Sequence, residues 1–388
     1  MQLAVTRDFD AGTADSAYFE SFLSRPAVFA LFPAPRAGQA SEPYLGRTHD
    51  LRRRLTRLLS SPKRSSRILN LREIVSRVEY TPVGSTFEGL WLLYLLNQQH
   101  FPEHYEKRLR LRPPALLKLN LQNRFPRCYP TRKIASDQSL YFGPFQSQLA
   151  TEHFAGEFLD FFKIRRCVEE LTPDPSHPGC IYSQMRMCLA PCFAGCTDAE
   201  YAAEVRSVAD FLGSGGQSLL RNLKTEREQA ADSLEFEQAA KTHERIDKLN
   251  ELLRRKGGLA RSISLLHGLI VLPGAESNSV TFFRVAAGRI SGPAALSLDE
   301  NVPRPIPLDG QLQEIWEGLA VDENGKAPDS ASEASSNSHA WEHLSLLARW
   351  YYSSFREGEF LVLDSTQTLP HARVIRLCRK LLAPKPTE

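Results

Sequence analysis

Cys167, Cys180, Cys188 and Cys192 stand at a spacing of C-x12-C-x7-C-x3-C within one stretch, RRCVEELTPDPSHPGCIYSQMRMCLAPC. Four thiols packed this closely suit a zinc ion or an iron-sulfur cluster, because both accept four thiolates. Pro175, Pro178 and Pro191 lie between or beside them, so the segment loops around something rather than running as one helix. A free cysteine also serves as a small buried apolar side chain, but four within 26 residues exceed that use. A disulfide framework fits poorly with seven cysteines, no apolar leader near Met1 and a length that needs no covalent staples. Cys128, Cys196 and Cys378 read as non-ligands.

A second group of residues is basic. EPYLGRTHDLRRRLTRLLS predicts a short strand at Tyr44 and Leu45, then a helix opening near Asp50, a plausible N-cap. Leu51, Leu55, Leu58 and Leu59 form its apolar stripe, and Arg52, Arg53, Arg54 and Arg57 occupy much of the remaining surface. Arg47, Lys63, Arg64 and Arg67 extend the tract, and Lys107, Arg108, Arg110, Arg112, Lys118, Arg124 and Arg127 follow downstream. Such a tract reads either as a solvated face or as a surface for the phosphates of nucleic acid, which arginine grips bidentately. The candidate DNA contacts are Arg52, Arg53, Arg57, Lys63 and Arg64.

The elements around these groups suggest several domains. The chain has 388 residues, 42% of them hydrophobic and 24% charged, with a net charge of +3. That composition is ordinary for a soluble protein, and no apolar run reaches the length of a membrane span, so a cytoplasmic location is expected. Residues 1–25 look polar and unpatterned. AVFALF from Ala27 reads as a strand. STFEGLWLLYLLNQQHFPEHY reads as a helix in which Ser85 and Glu88 form a capping box, the carboxylate returning to the Ser85 amide. Beyond Cys196 a helix ends at Gly213, Gly215 and Gly216, and a long second helix is expected from Ser218 to about Arg255, with Leu234, Phe236, Ala239, Ala240, Ile246 and Leu249 along its apolar side. Strands are expected from Ser262. ENGKAPDSASEASSNSH reads as a disordered linker, followed by an aromatic-faced helix, a strand at FLVLD and a final helix.

These segments resemble the N-terminal portion of the UvrC family, the nuclease subunit of bacterial nucleotide excision repair. PAVFALF, EPYLGRTHDLRRRL and the STFEGLWLLYLLNQQ helix are similar to the strands and helices of its GIY-YIG endonuclease domain. YFGPF, CLAPC and LEFEQAAKTHERIDKL resemble its next motif, its Cys-rich module and its UVR motif. The resemblance implies a [4Fe-4S] cluster on Cys167, Cys180, Cys188 and Cys192, with zinc left open by the chemistry of four thiolates. It also implies DNA and a UvrB-like helicase subunit as partners, the latter reached through Leu234, Phe236, Ala239, Ile246 and Leu249.

Carried over residue by residue, the resemblance implies a remnant nuclease site of Tyr44, Arg47 and Arg54. The family's first tyrosine falls on Phe29, which has no hydroxyl, and a further one falls on Leu58. Its metal-binding glutamate falls on Leu93, and leucine cannot hold a cation. Mg²⁺ or Mn²⁺ is therefore expected only if the nuclease is active. The family's asparagine after this helix has no counterpart, with Tyr105 or Glu106 near its place.

The expected architecture is α/β plus α. It comprises a degenerate GIY-YIG domain with a small mixed sheet over 25–110, the YFGPF region and Cys-rich module over 111–197, and a helical region over 198–256 with the UVR hairpin at about 234–249. A small β unit over 257–318, a disordered linker over 319–340 and a C-terminal α/β tail over 341–388 complete it. The function expected is that of a DNA-binding protein associated with excision repair and impaired in cutting. A short active endonuclease and a redox-responsive iron-sulfur scaffold are the alternatives.

Overall fold

The computed structural model describes residues 2–12, 16–34, 42–61, 69–135, 137–299, 306–319, 340–364 and 369–383. Lys63, Arg64, Arg67 and residues 320–339 of the expected linker lie outside them. The described chain is mixed α/β, with three antiparallel sheets of four strands each.

The first sheet contains β1 (Val5–Asp8), β2 (Ala27–Pro33), β3 (Tyr44–Thr48) and β4 (Val75–Pro82), in the order β1-β4-β2-β3. The supposedly unpatterned N-terminus thus supplies an edge strand, with Val5 opposite Tyr80 and Asp8 opposite Arg77. Its VTRD sequence is too short and polar for alternation to reveal it; pairing with β4 makes it a strand. The expected mixed sheet is antiparallel throughout. β3 and β4 run the same way, but β2 lies between them and pairs antiparallel with both.

Strand alternation gives this sheet two apolar faces. Phe29, Leu31, Val78 and Tyr80 pack with α1 (Ser16–Glu20) and α2 (Leu51–Leu59), which contributes Leu51, Leu55, Leu58 and Leu59. Val28 and Ala30 pack instead with Leu92 and Leu96 of α3 (Thr86–His100). Asp50 caps α2 as expected, accepting the Arg53 amide at 2.9 Å.

α3 is apolar on both sides. Its Phe87, Leu90, Trp91 and Tyr94 join Tyr105 of α4 (Tyr105–Leu109) in a core shared with the C-terminal unit. That unit is a sheet of β9 (Gly268–Pro273), β10 (Ser279–Ala286), β11 (Arg289–Ser297) and β12 (Glu359–Val362), in the order β11-β10-β9-β12. Because β12 pairs with β9, the β unit and the C-terminal tail are one body. Ile270, Leu272 and Phe283 face α3 and α11 (Ala340–Tyr351). Leu269, Val271 and Phe282 face α10 (Leu308–Gly318) and α12 (His371–Leu382). Gly84 and Gly274 seal the junction, since a Cβ on Gly84 would lie 2.1 Å from the Gly274 carbonyl carbon.

The middle sheet contains β5 (Ala115–Leu119), β6 (Cys128–Thr131), β7 (Leu140–Phe145) and β8 (Arg261–Ser262), in the order β6-β5-β7-β8. Phe142 and Phe145 pack on Phe154 and Phe158 of α5 (Gln148–Leu159), and α7 (Asp198–Gly213) adds Tyr201, Val208 and Phe211. The short α6 (Ile181–Gln184) lies within the cysteine segment. The expected long second helix is a hairpin instead, α8 (Gln217–Asp232) and α9 (Phe236–Arg255). The chain reverses at Ser233 to Glu235, where Leu234 takes a left-handed φ of 61°.

Candidate functional site

Of the expected nuclease set, Tyr44 and Arg54 are brought together. In the first sheet, Phe29 lies opposite Gly46, and its ring sits where a Cβ at position 46 would be, 2.8 Å away. Tyr44 on the same face is 6.2 Å from that ring, centroid to centroid. Arg54, one turn into α2, donates from Nη2 to the Tyr44 hydroxyl at 2.8 Å. Its buried Nε has no hydrogen-bond partner, which leaves one donor of the guanidinium unused beside the pair. Phe29 is fully buried, so its ring packs and offers no proton.

Leu93 does not join them. It packs with the clusters holding Val28, Ala30 and Leu96 and the C-terminal unit, whereas Tyr44 packs with Phe29 and Leu55. Glu88 is the only carboxylate on α3 and is buried. Ser85 Oγ accepts the Glu88 amide as expected, but the carboxylate accepts from the Gly84 amide at 2.9 Å rather than that of Ser85. Burial pushes the Glu88 carboxyl above its ordinary value, and the Gly84 bond only partly offsets this.

Arg47 is exposed on β3 and lines a cleft of about 230 Å³ with His49, Thr86 and Glu357. Burial of its head, and then the like charge of Arg349, hold its guanidinium below the ordinary value. Within this cleft Glu357 accepts the Thr86 amide at the start of α3, at 2.6 Å. Of the expected DNA contacts, Arg53 and Arg57 extend from the exposed side of α2, and Arg52 is tied by Nε to the Phe22 carbonyl at 2.8 Å.

The second constellation is the cysteine segment. Cys167 follows buried Ile164 and Arg165, Cys180 caps α6, Cys188 follows a left-handed Arg186, and Cys192 sits in a 3-10 turn at Pro191–Phe193. The four approach closely enough that burial first, and then the charges of Cys167, Cys180 and Cys192, push Cys188 up to about 11. The Ala190 amide is directed at Cys188 Sγ at 3.3 Å. Buried Arg165 reaches Cys167 Sγ at 3.8 Å, held by bonds to the Phe125 and Glu169 carbonyls. No three Cys, His, Asp or Glu side chains among the described residues are already arranged around a single ion. The donor set itself, four thiols with an amide and a guanidinium aimed at sulfur, fits a group bound through thiolates. All seven cysteines are free thiols.

The hairpin divides its predicted contacts. Ile246 and Leu249 are buried in the middle core with Leu223 and Leu252, so they hold the hairpin in place and cannot meet a partner. Leu234 and Phe236 at the turn are exposed, at 71% and 68%, and Ala239 is half-buried beside them.

The family description "UvrC/Cho excinuclease, middle domain" matches residues 115–211, and "UvrB/uvrC motif" matches residues 217–252. The chain is UvrC-like. A UvrABC system protein C of Clostridium perfringens (strain SM101 / Type A) is 29% identical over 206 residues, which is 52% of this chain and 33% of that protein. Those of Syntrophomonas wolfei and Geobacter sp. (strain M21) are each 27% identical, over 74% and 78% of this chain and 47% and 46% of their own lengths. The UvrC-like chain therefore spans less than half of these relatives. No solved structure matches it. Among the described residues, no helix is long and apolar enough to cross a membrane.

The arginine cleft around Arg110 and Arg349, described below, escaped the sequence reading. Arg349 lies more than 200 residues beyond Arg110, Arg112 and Arg132, and only their shared basic character shows in the sequence.

Proposed function

We propose that this UvrC-like chain binds DNA in nucleotide excision repair and does little or no cutting through its N-terminal unit, a degenerate GIY-YIG domain. The observation that carries the reading is α3. Its one carboxylate, Glu88, is engaged by the Gly84 amide, and Leu93 lies within apolar packing, so α3 offers no free carboxylate to Tyr44 and Arg54. Without such a ligand a divalent ion has no anchor from this helix to stabilise a departing phosphate oxygen. What remains is recognition. Arg53 and Arg57 present charge to phosphate, and Tyr44 and Arg54 hold a polar pair at the sheet surface.

The exposed Leu234 and Phe236 supply an apolar contact for a UvrB-like partner, supported by the UvrB/uvrC motif match. Cys167, Cys180, Cys188 and Cys192 would hold a [4Fe-4S] cluster, or zinc in its place. Such a group, when bound, cross-links a segment that has little regular structure of its own.

The test is anaerobic purification with iron, sulfide and zinc analysis, then a nicking assay of the same sample on damaged duplex with Mg²⁺ and Mn²⁺. Iron and sulfide with DNA binding and no nicking are expected. Mg²⁺-dependent nicking that disappears in Arg54→Ala would show that the chain is an active endonuclease.

A further inference from the structure

A cleft of about 570 Å³ opens where three parts of the chain meet. Arg110 and Arg112 enter it from the segment after α4, Arg132 from the segment after β6 with Ser147 at the head of α5, and Arg349 from α11 with Tyr352. Its described lining holds four guanidinium groups and no acidic side chain. Some exposed arginines elsewhere pair with carboxylates, as Arg124 does with Asp198 and Arg255 with Glu157. Here none of the four is ion-paired among the described residues. Arg132 and Arg349 only touch neutral carbonyls, of Pro113 at 2.9 Å and Leu109 at 3.5 Å, which fix their heads near the rim.

Like charges gathered without a counter-charge repel one another, and an anion placed among them relieves that repulsion. The guanidinium fork matches phosphate oxygens bidentately. Beyond the cleft Arg349 is near enough to Arg47 for its charge to act on that group, where the opposing carboxylate of Glu357 also acts. A compact anion needs only one such seat, whereas a chain of phosphates can follow the succession.

We propose that the cleft bounded by Arg110, Arg112, Arg132 and Arg349 is a phosphate seat for a nucleic-acid strand, joining the N-terminal, middle and C-terminal units along one backbone. This rests on the DNA-binding reading above and adds its location. None of its lining residues belongs to α2, where the sequence alone places the DNA contacts. Assembled from three units, it forms only when the whole chain is folded.

The experiment is fluorescence anisotropy with a labelled duplex and the corresponding single strand over a salt series, using the full chain. Arg110→Gln/Arg112→Gln is the first variant, because both side chains are exposed and neither makes a hydrogen bond among the described residues. Loss of two phosphate contacts should make the log affinity against log salt slope shallower by about 1.4–1.8, and weaken binding roughly 10- to 30-fold near physiological salt. Arg349→Gln, on a different element, should give about half that slope change. Arg53→Gln/Arg57→Gln on α2 should change it less than the first variant.

Wild-type binding with an unchanged slope in both cleft variants would overturn the seat and leave the repair reading intact. Wild type that binds neither nucleic acid would instead remove the reading on which the seat rests. Inorganic triphosphate is the further probe. Its binding in the cleft without any DNA binding would assign the seat to a free polyphosphate and overturn the strand.

Discussion

Glu342 offers the sharpest test of how the N-terminal and C-terminal units are joined. It is 1% exposed on α11 and accepts the Tyr94 hydroxyl of α3 and the Tyr105 hydroxyl of α4, both at 2.6 Å. Hydrogen bonds to a charged acceptor are each worth about 1.5–3 kcal/mol. Tyr94→Phe and Tyr105→Phe should each destabilise by about that amount. The double variant should lose more than the sum, because both hydroxyls serve the one buried carboxylate. A coupling of about 0.5–3 kcal/mol is expected for groups sharing one network. Burial, reinforced by the Glu342 charge, raises both phenols above their ordinary values, so they remain donors well into the alkaline range. Urea unfolding followed by tryptophan emission reports directly on this junction, since Trp91 and Trp350 lie in the same core. A double variant whose transition lies within about 0.5 kcal/mol of wild type would refute the reasoning.

The hairpin separates binding from stability. Phe236→Asp should leave the unfolding midpoint nearly unchanged while weakening capture of a UvrB-like partner at least tenfold, whereas Ile246→Ala should cost about 2–5 kcal/mol in a denaturant titration. Cys188→Ser should lower the iron, or zinc, recovered per chain on anaerobic purification; retention at the wild-type level would remove Cys188 from the ligand set. For Glu88, burial raises the folded-state carboxyl, so the unfolded chain releases its proton at lower pH. Wild-type stability should therefore fall relative to Glu88→Gln as pH rises from the unfolded carboxyl value through the higher folded one, and the two should converge below it. Denaturation midpoints from acid to neutral pH check that sign.

Local chemistry was legible in the sequence wherever it depended on short spacing. Asp50 as a cap and the strands at Ala27 and Tyr44 follow from patterns a few residues long. Long-range pairing was not. β1 is a strand only because β4 lies beside it, and β12 belongs to the β9 sheet across more than 80 intervening residues. The hairpin break at Leu234 had no glycine or proline to announce it, since leucine occupies a left-handed position that usually favours glycine. Ile246 and Leu249 share their apolar character with Phe236, so burial alone distinguishes core from contact surface. For Tyr44 and Arg54, the type of each residue was readable, but the engagement of one by the other required the sheet and α2 in place.

The two-sided burial of α3 also has a temporal side. Residues 86–100 leave the ribosome before β9, β10 and α11, and the last residues of α11 follow about 240 positions after α4 ends. At ordinary synthesis rates that interval lasts on the order of ten to fifty seconds. Throughout it, Leu92 and Leu96 can pack on the N-terminal sheet, but Phe87, Leu90, Trp91 and Tyr94 on the other side have only α4 beside them. The newborn chain thus carries a sticky helix for longer than folding of the N-terminal unit requires, and the cell's holding chaperones have their natural target there.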